Sequence, residues 1–240
     1  MSMMYDKGFY ERVAQQRNHW LVSSADAFWV ADNLIYHRII RIIRLCDNPS
    51  GYLLDVAAGD GYLTDMLRAS GNRVVAADIA SARLQQARRY APRLSLLQMD
   101  ATHPSIRADT LGIIVACEVV EHLGDYRQVF TEAHRMLMHR GHLIVSVPYK
   151  DPLEMVVCPH CGRSFHPWGH VVSFDEALLR AAFEEAGFTD VGLYFANNAI
   201  STRLSRWLRL PFRIVQLIDR YATFLAPHMN RHMIGIGRKP

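Results

Sequence analysis

No stretch of this 240-residue chain reaches the ~18 uninterrupted apolar residues that a membrane-spanning helix needs. The most apolar candidate, Ile39-Ile40-Arg41-Ile42-Ile43-Arg44, is broken by arginines. The first residues carry Asp6, Lys7 and Glu11 without an apolar core, so no secretory leader is expected. Internal repeats and low-complexity tracts are also lacking, which sets aside solenoids and extended linkers. A formal net charge of +4 is too small an excess to demand a nucleic-acid partner. With 50% apolar and 21% charged residues, the composition is that of a soluble globular protein, expected in the cytoplasm. One α/β domain accounts for this length.

What is present is a nucleoside-cofactor signature. The apolar run Leu53-Leu54-Asp55-Val56 enters the turn Ala57-Ala58-Gly59-Asp60-Gly61, and Asp78 follows at the end of Val74-Val75-Ala76-Ala77. A strand running into a glycine turn lets ligand and backbone approach closely, and an acid ending the next strand is placed to accept from ribose hydroxyls. A dinucleotide site would carry a third glycine where Thr64 stands. Asp55 and Asp60 flank the turn, a charge pattern suited to a cationic ligand better than to a pyrophosphate.

In these residues the chain resembles the class I S-adenosylmethionine-dependent methyltransferases. Their acid-x-Gly-x-Gly-x-Gly motif corresponds to Asp55 through Gly61, with Ala57 in place of the first glycine. Four further motifs follow in the family's order. They are Asp78-Ile79, Met99-Asp100-Ala101 after Leu94-Ser95-Leu96-Leu97, the run Ile113 to Leu123, and Arg140-Gly141-His142 leading into Leu143 to Pro148. The resemblance implies that Asp55, Ala57, Ala58, Gly59, Asp60 and Gly61 face the methionine part of the cofactor. It likewise implies Asp78 and Ile79 at the ribose, Asp100 and Ala101 at the adenine, and Cys117 and Glu118 beneath the transfer site. The Asn/Asp-Pro-Pro-aromatic run of adenine amino-methyltransferases is missing after strand four, which points to a small-molecule, glycan-precursor or lipid-type acceptor. His122 is the candidate base. A catalytically silent cofactor-binding or zinc-stabilised interaction protein is the second reading.

The implied fold is α/β, a Rossmann-like seven-stranded sheet with helices on both faces, an antiparallel last strand and an N-terminal helical cap. The expected single domain comprises a cap over 1–48, a cofactor-binding core over 49–150, a Cys/His loop over 151–172 and a basic amphipathic insertion over 197–230. In the cap, Phe28, Ala31, Ile35, Ile39 and Ile42 or Ile43 recur at helical spacing, and Tyr10, His19 and Trp20 are candidates to touch ligand. Helices are expected over 60–69, 81–90, 125–138 and 174–186. Asp125 with Gln128 and Ser173 with Glu176 suggest capping boxes, and late strands are expected over 191–195 and 232–237.

The loop holds Cys158-Pro159-His160-Cys161, then His166 and His170. A C-x2-C pair followed by two histidines has the ligand types and spacing of a small structural zinc knuckle, here Cys158, Cys161, His166 and His170. Because the loop leaves the carboxyl end of strand five, it would border the acceptor pocket. His170 is also a candidate base. In the insertion, Arg203, Arg206, Arg209 and Arg213 recur at helical spacing beside Trp207, Leu208 and Phe212. Such a face suits peripheral contact with an anionic membrane through 203–225, or a lid packed on the core or on a second subunit. Only Arg163 lies inside the Cys/His loop, against a nucleic-acid module.

Overall fold

In a computed structural model, Glu11 and residues 27–46, 51–157 and 159–240 are described. Helix α1 (Ala27–Ile43) precedes β1 (Tyr52–Val56), α2 (Tyr62–Ala69), β2 (Val74–Asp78), α3 (Ser81–Tyr90) and β3 (Ser95–Gln98). Then come β4 (Leu111–Cys117), a 3-10 turn (Val120–His122), α4 (Tyr126–Met136) and β5 (Leu137–Pro148). A two-stranded hairpin, β6 (Val156–Val157) with β7 (Ser164–Phe165), frames the Cys/His loop. The chain continues through α5 (Glu176–Glu185), β8 (Thr189–Asn198), α6 (Ala199–Leu208), α7 (Phe212–Leu225) and β9 (Asn230–Arg238).

The main sheet has seven strands in the order β3-β2-β1-β4-β5-β9-β8. Pairing is parallel from β3 to β5, whereas β9 is antiparallel to both β5 and β8, as expected of the last strand. Strand order reverses between β1 and β4, so the crevice for a ligand lies beyond the carboxyl ends of those two strands. Alternate residues feed two cores. Leu54, Val56, Ile114, Ala116 and Val145 pack with Phe130 of α4 and Phe183 of α5, whose rings meet edge to face at 5.0 Å. Leu53, Ile113, Val115 and Ile144 pack instead with Ile35 and Ile39 of α1 and Leu63 and Leu67 of α2.

Several boundaries differ from the sequence expectation for local reasons. Phe174 is fully buried, and its backbone bridges Tyr149 in an extended pairing. Helix α5 therefore starts later, with Asp175 and not Ser173 as the N-cap, accepting from the Leu178 amide at 2.8 Å. Asp125 caps α4 without a side-chain bond, so that capping box does not form. The basic insertion is two helices and not one. Arg209 turns left-handed (φ 48) before Leu210 and Pro211, and a proline cannot occupy a helix interior. Arg213 therefore sits on a different helix from Arg203 and Arg206.

The two helices of the insertion are tied to the sheet by Asp219. Its carboxylate accepts from the amides of Asn197 (3.2 Å) and Asn198 (2.7 Å) and from Ser201 Oγ (2.6 Å). Burial pushes its pKa up, against the opposing effect of those donors. Asp219→Ala should leave two buried amides unpaired and lower the unfolding free energy by about 3 kcal/mol, measured by urea denaturation, where each orphaned group costs ~1–3 kcal/mol.

Candidate functional site

The glycine turn is built by backbone geometry. Gly61 is left-handed (φ 80), and a Cβ there would lie 2.9 Å from both Ala87 Cβ and Leu94 Cδ1. Gly59 is also left-handed (φ 58), but a Cβ there would meet nothing within 4 Å, so this glycine borders open space on the ligand side. Ala57, which replaces the family's first glycine, adopts the same region (φ 55), and a side chain there carries a strain of ~1–2 kcal/mol. The Gly61 amide closes the turn on the Ala58 carbonyl at 2.9 Å.

Around this turn the expected residues meet. Asp78 Oδ2 accepts from the Gly59 amide at 3.0 Å, and Oδ1 from the Ala80 amide at 2.9 Å. Burial raises the Asp78 pKa, while those amides work the other way. Asp55 is buried and takes a 2.6 Å bond from Thr64 Oγ1, at the position where a dinucleotide fold carries glycine. Burial pushes its pKa up to about 7, partly offset by Thr64 and reinforced by Asp78 and Asp60. Asp100 accepts from the amide and hydroxyl of Thr102 (2.8 and 2.7 Å), which fixes the loop after β3, and Ala101 packs on the core.

Glu118, left-handed at φ 54, follows β4, and its Oε1 accepts from Ser146 Oγ at 2.7 Å. The opposite oxygen faces His232 Nε2 at 3.3 Å. Burial opposes the charge on Glu118, yet His232 and Ser146 hold its pKa below the usual carboxylate value. Burial likewise works against His232 as a cation, and Glu118 outweighs it to raise the pKa. Burial keeps the Cys117 thiol and the Tyr36 hydroxyl protonated. Neither His232, which comes from β9, nor Tyr36, from α1, carried a sequence signal. Glu11 was also unforeseen: it caps α3 through Ser81 Oγ (2.7 Å) and the Ala82 amide (3.1 Å), compensating for Ala80 as N-cap. Tyr10, His19 and Trp20 lie outside the described residues.

A second cluster borders the first. His122 and His170 approach edge to face with centroids 4.9 Å apart, and His166 stacks on His170 at 4.7 Å. Two sets of donor atoms converge within 4.8 Å of one another, Glu121 with His122 and His170, and Asp151 with His166 and His170. Desolvation, then the neighbouring His170, lowers the His122 pKa, so the ring is neutral near pH 7. Burial, then the nearby Glu118 charge, raises that of Glu121 well above the ordinary value.

A zinc knuckle needs a free lone pair on each imidazole. His166 has none available: Nδ1 accepts from the His170 amide at 3.1 Å, and Nε2 faces Asp151 Oδ2 at 3.4 Å. Cys161 is exposed and joins neither converging set, while Cys158 lies outside the described residues. The set Cys158, Cys161, His166 and His170 therefore does not fit the arrangement seen, because Asp151, just past β5, draws both rings to itself.

Asp55 supplies a pH test. Its folded-state pKa is raised, so its stabilising contribution is full below the unfolded value of about 3.9 and is lost as pH rises through about 7. Asp55→Asn should leave stability at pH 4 nearly unchanged and raise it at pH 8 by up to ~4 kcal/mol, the linkage limit at 1.36 kcal/mol per pKa unit. Thermal melts of the ligand-free protein at the two pH values read this directly, and equal shifts at both would contradict it.

Residues 54–145 match the family model described as a methyltransferase domain. A "Probable S-adenosylmethionine-dependent methyltransferase" of Mycobacterium tuberculosis is 25% identical over 141 residues, covering 59% of this chain and 50% of that protein. A ubiquinone biosynthesis O-methyltransferase of Ruegeria sp. is 30% identical over 152 residues, covering 58% of this chain and 60% of its own length. The chain thus spans about half to three fifths of the curated relatives it matches. Among solved structures, an Archaeoglobus fulgidus S-adenosylmethionine-dependent methyltransferase superposes with a TM-score of 0.61 at 15% identity, over 86% of this chain and 94% of that one. Phosphoethanolamine N-methyltransferase 2 of Haemonchus contortus gives 0.62 at 13% identity, over 95% and 60%; at such identities the likeness is one of fold. With the motifs in family order and the strand order that carries them, residues 54–145 form a methyltransferase domain similar to those of the class I S-adenosylmethionine-dependent methyltransferases.

Proposed function

We propose that the protein transfers a methyl group from S-adenosylmethionine to a hydroxyl oxygen of a small-molecule or lipid-type acceptor. The observation that carries the reading is the meeting of Asp55, the 57–61 turn and Asp78 at the strand-order reversal, with Gly59 open on its ligand side. When bound, S-adenosylmethionine supplies an electrophilic methyl group on a sulfonium. Asp78, already oriented by two amides, accepts from the ribose hydroxyls beside Ile79. Asp100 and Ala101 border the adenine. Ala57, Ala58, Gly59, Asp60 and Gly61 line the methionine part, and Asp55 with Asp60 favours its positive charge. Cys117 and Glu118 form the floor, and the fixed Glu118–His232 pair keeps a negative charge there.

The chain's contribution to rate is mainly orientation, bringing the acceptor oxygen to about 3–3.5 Å from the methyl carbon. The proton of the acceptor hydroxyl is handled by the cluster around His122. That ring is suited to it, being neutral, with Nδ1 bound to the Gly169 carbonyl at 3.2 Å. The name of the Ruegeria relative supports oxygen as the accepting atom. The zinc knuckle expected from ligand type and spacing is not part of this reading, because both nitrogens of His166 are engaged.

The acceptor class is also supported by the insertion. Trp207 and Phe224 are 82% and 83% exposed, Leu217, Tyr221 and Leu225 are exposed on α7, and Arg203, Arg206, Arg209, Arg213 and Arg220 are exposed along the same insertion. Exposed aromatic and aliphatic side chains together with arginines are complementary to an anionic bilayer surface. No helix among the described residues is long and apolar enough to cross a membrane, so the contact proposed is peripheral.

Two outcomes are expected. Calorimetry should show S-adenosylmethionine binding at least ~10-fold weaker in Asp78→Ala, since a carboxylate hydrogen bond is worth ~1.5–3 kcal/mol; unchanged affinity would remove Asp78 from the site. The parent protein should also sediment with phosphatidylglycerol vesicles at low salt, be released at high salt, and lose the association in a Trp207→Ser, Phe224→Ser double variant. Failure to sediment at low salt would leave these helices as a lid or a subunit contact.

A further inference from the structure

Glu121 is 1% exposed, and neither carboxylate oxygen has a hydrogen-bond partner among the described residues. A carboxyl group taken out of water without donors either keeps its proton or takes a cation. The nearest charged candidate, His122 Nε2, stands 3.7 Å away, beyond hydrogen-bonding range. The surrounding bonds then fix which ring atoms keep a lone pair. His122 Nδ1 lies 3.2 Å from the Gly169 carbonyl oxygen, an acceptor only, so Nδ1 carries the proton and Nε2 the lone pair. His170 Nδ1 lies 2.7 Å from Asp151 Oδ2, which assigns its proton in the same way and leaves Nε2 as the donor atom.

Two imidazoles locked as ligands by a carbonyl and a carboxylate behind them, converging with an orphaned buried carboxylate, form a recognisable donor set. Histidines that bind metals are held by this kind of support. We propose that Glu121, His122 and His170 bind one divalent metal ion, with Asp151 and the Gly169 carbonyl as positioning groups. One ligand atom of each lies within 4.8 Å of the others. Around a zinc-sized ion with bonds of about 2.0–2.2 Å, ligand atoms stand about 3–3.5 Å apart, so side-chain movement closes the site. Three protein ligands leave a position open, as in catalytic rather than structural sites. His166 is excluded from the set, both its nitrogens being engaged.

The inference rests on the methyltransferase reading only for what fills the open position, which is the acceptor hydroxyl. Bound to the ion, that hydroxyl loses its proton to water more readily. Its oxygen then forms the new C–O bond as the S–C bond of the sulfonium breaks, and the neutral thioether leaves. His122 thus acts on the acceptor's proton by holding the ion and not as a free base.

The test uses the full chain, stripped of metal and titrated with Co2+ and with Zn2+. One equivalent should bind, and the cobalt spectrum should lack the intense near-ultraviolet charge-transfer band of thiolate ligands. Binding should persist in the Cys158→Ser, Cys161→Ser double variant. It should weaken at least ~10-fold in Glu121→Gln and His122→Asn, and by about 10-fold in Asp151→Asn, the usual scale for a supporting group. Melting curves and S-adenosylmethionine affinity, both expected unchanged in Glu121→Gln, separate loss of the ion site from misfolding and from failure of the cofactor reading. A thiolate band that disappears in the cysteine variant, or no bound equivalent in the folded parent, would overturn the proposal.

Discussion

Four carboxylates gather at the carboxyl ends of β1, β2 and β4, Asp55, Asp78 and Glu121 buried and Glu118 half-buried, and the way each is compensated organises everything around it. Asp55 follows β1's apolar run, Asp78 ends β2, and Glu118 and Glu121 follow β4. An ionised carboxylate in such a place must be met by donors or give up its charge. Asp78 is met by two backbone amides, which draws the glycine turn against the end of β2. Asp55 is met by a single hydroxyl, and its pKa rises accordingly. Glu118 is met by Ser146 and His232, so β5 and β9 are tied to the same edge. Of the four, Glu121 alone has no hydrogen-bond partner for its carboxylate oxygens among the described residues, His122 standing 3.7 Å away.

This distribution suits a site for a cation. Asp55, Asp60 and Asp78 surround a turn whose left-handed glycines leave open space at Gly59, and Glu118 keeps its charge because His232 stands behind it. Burial raises the pKa of Asp55 and Asp78, with neighbouring acids adding to it at Asp55, and a positive ligand favours the charged forms of both. S-adenosylmethionine, which gives its name to relatives of this methyltransferase domain, is such a ligand. The Cys/His hairpin, the paired insertion helices and the cluster of His122, His166 and His170 lie outside the residues that form this turn.

The motif from Asp55 to Gly61, the acid Asp78 at the end of β2 and the order of strands and helices were legible in the sequence, because they rest on local rules. Period-2 apolar runs make buried strands, glycines permit left-handed turns, and the connection between parallel strands leaves room for a helix. Helix α3 was read to the residue over 81–90. Boundaries failed where a distant contact overruled local chemistry, as at Phe174, whose pairing with Tyr149 delays α5, and at Arg209, where the chain must turn before Pro211.

What the sequence determined alone was therefore the glycine turn and the acids beside it, since Asp55, Gly59, Gly61 and Asp78 lie within about 25 positions of one another on consecutive elements. Tertiary structure alone decided the partners of the acidic edge. His232 reaches Glu118 only because β9 inserts antiparallel between β5 and β8, and Glu11 reaches α3 across some 70 residues. The histidines of the loop have the spacing of a zinc knuckle in sequence, yet Asp151 and His122 are what they meet in space. Spacing specifies which ligands can converge along one segment, whereas the protonation and pairing of each ring nitrogen depend on groups brought by other strands.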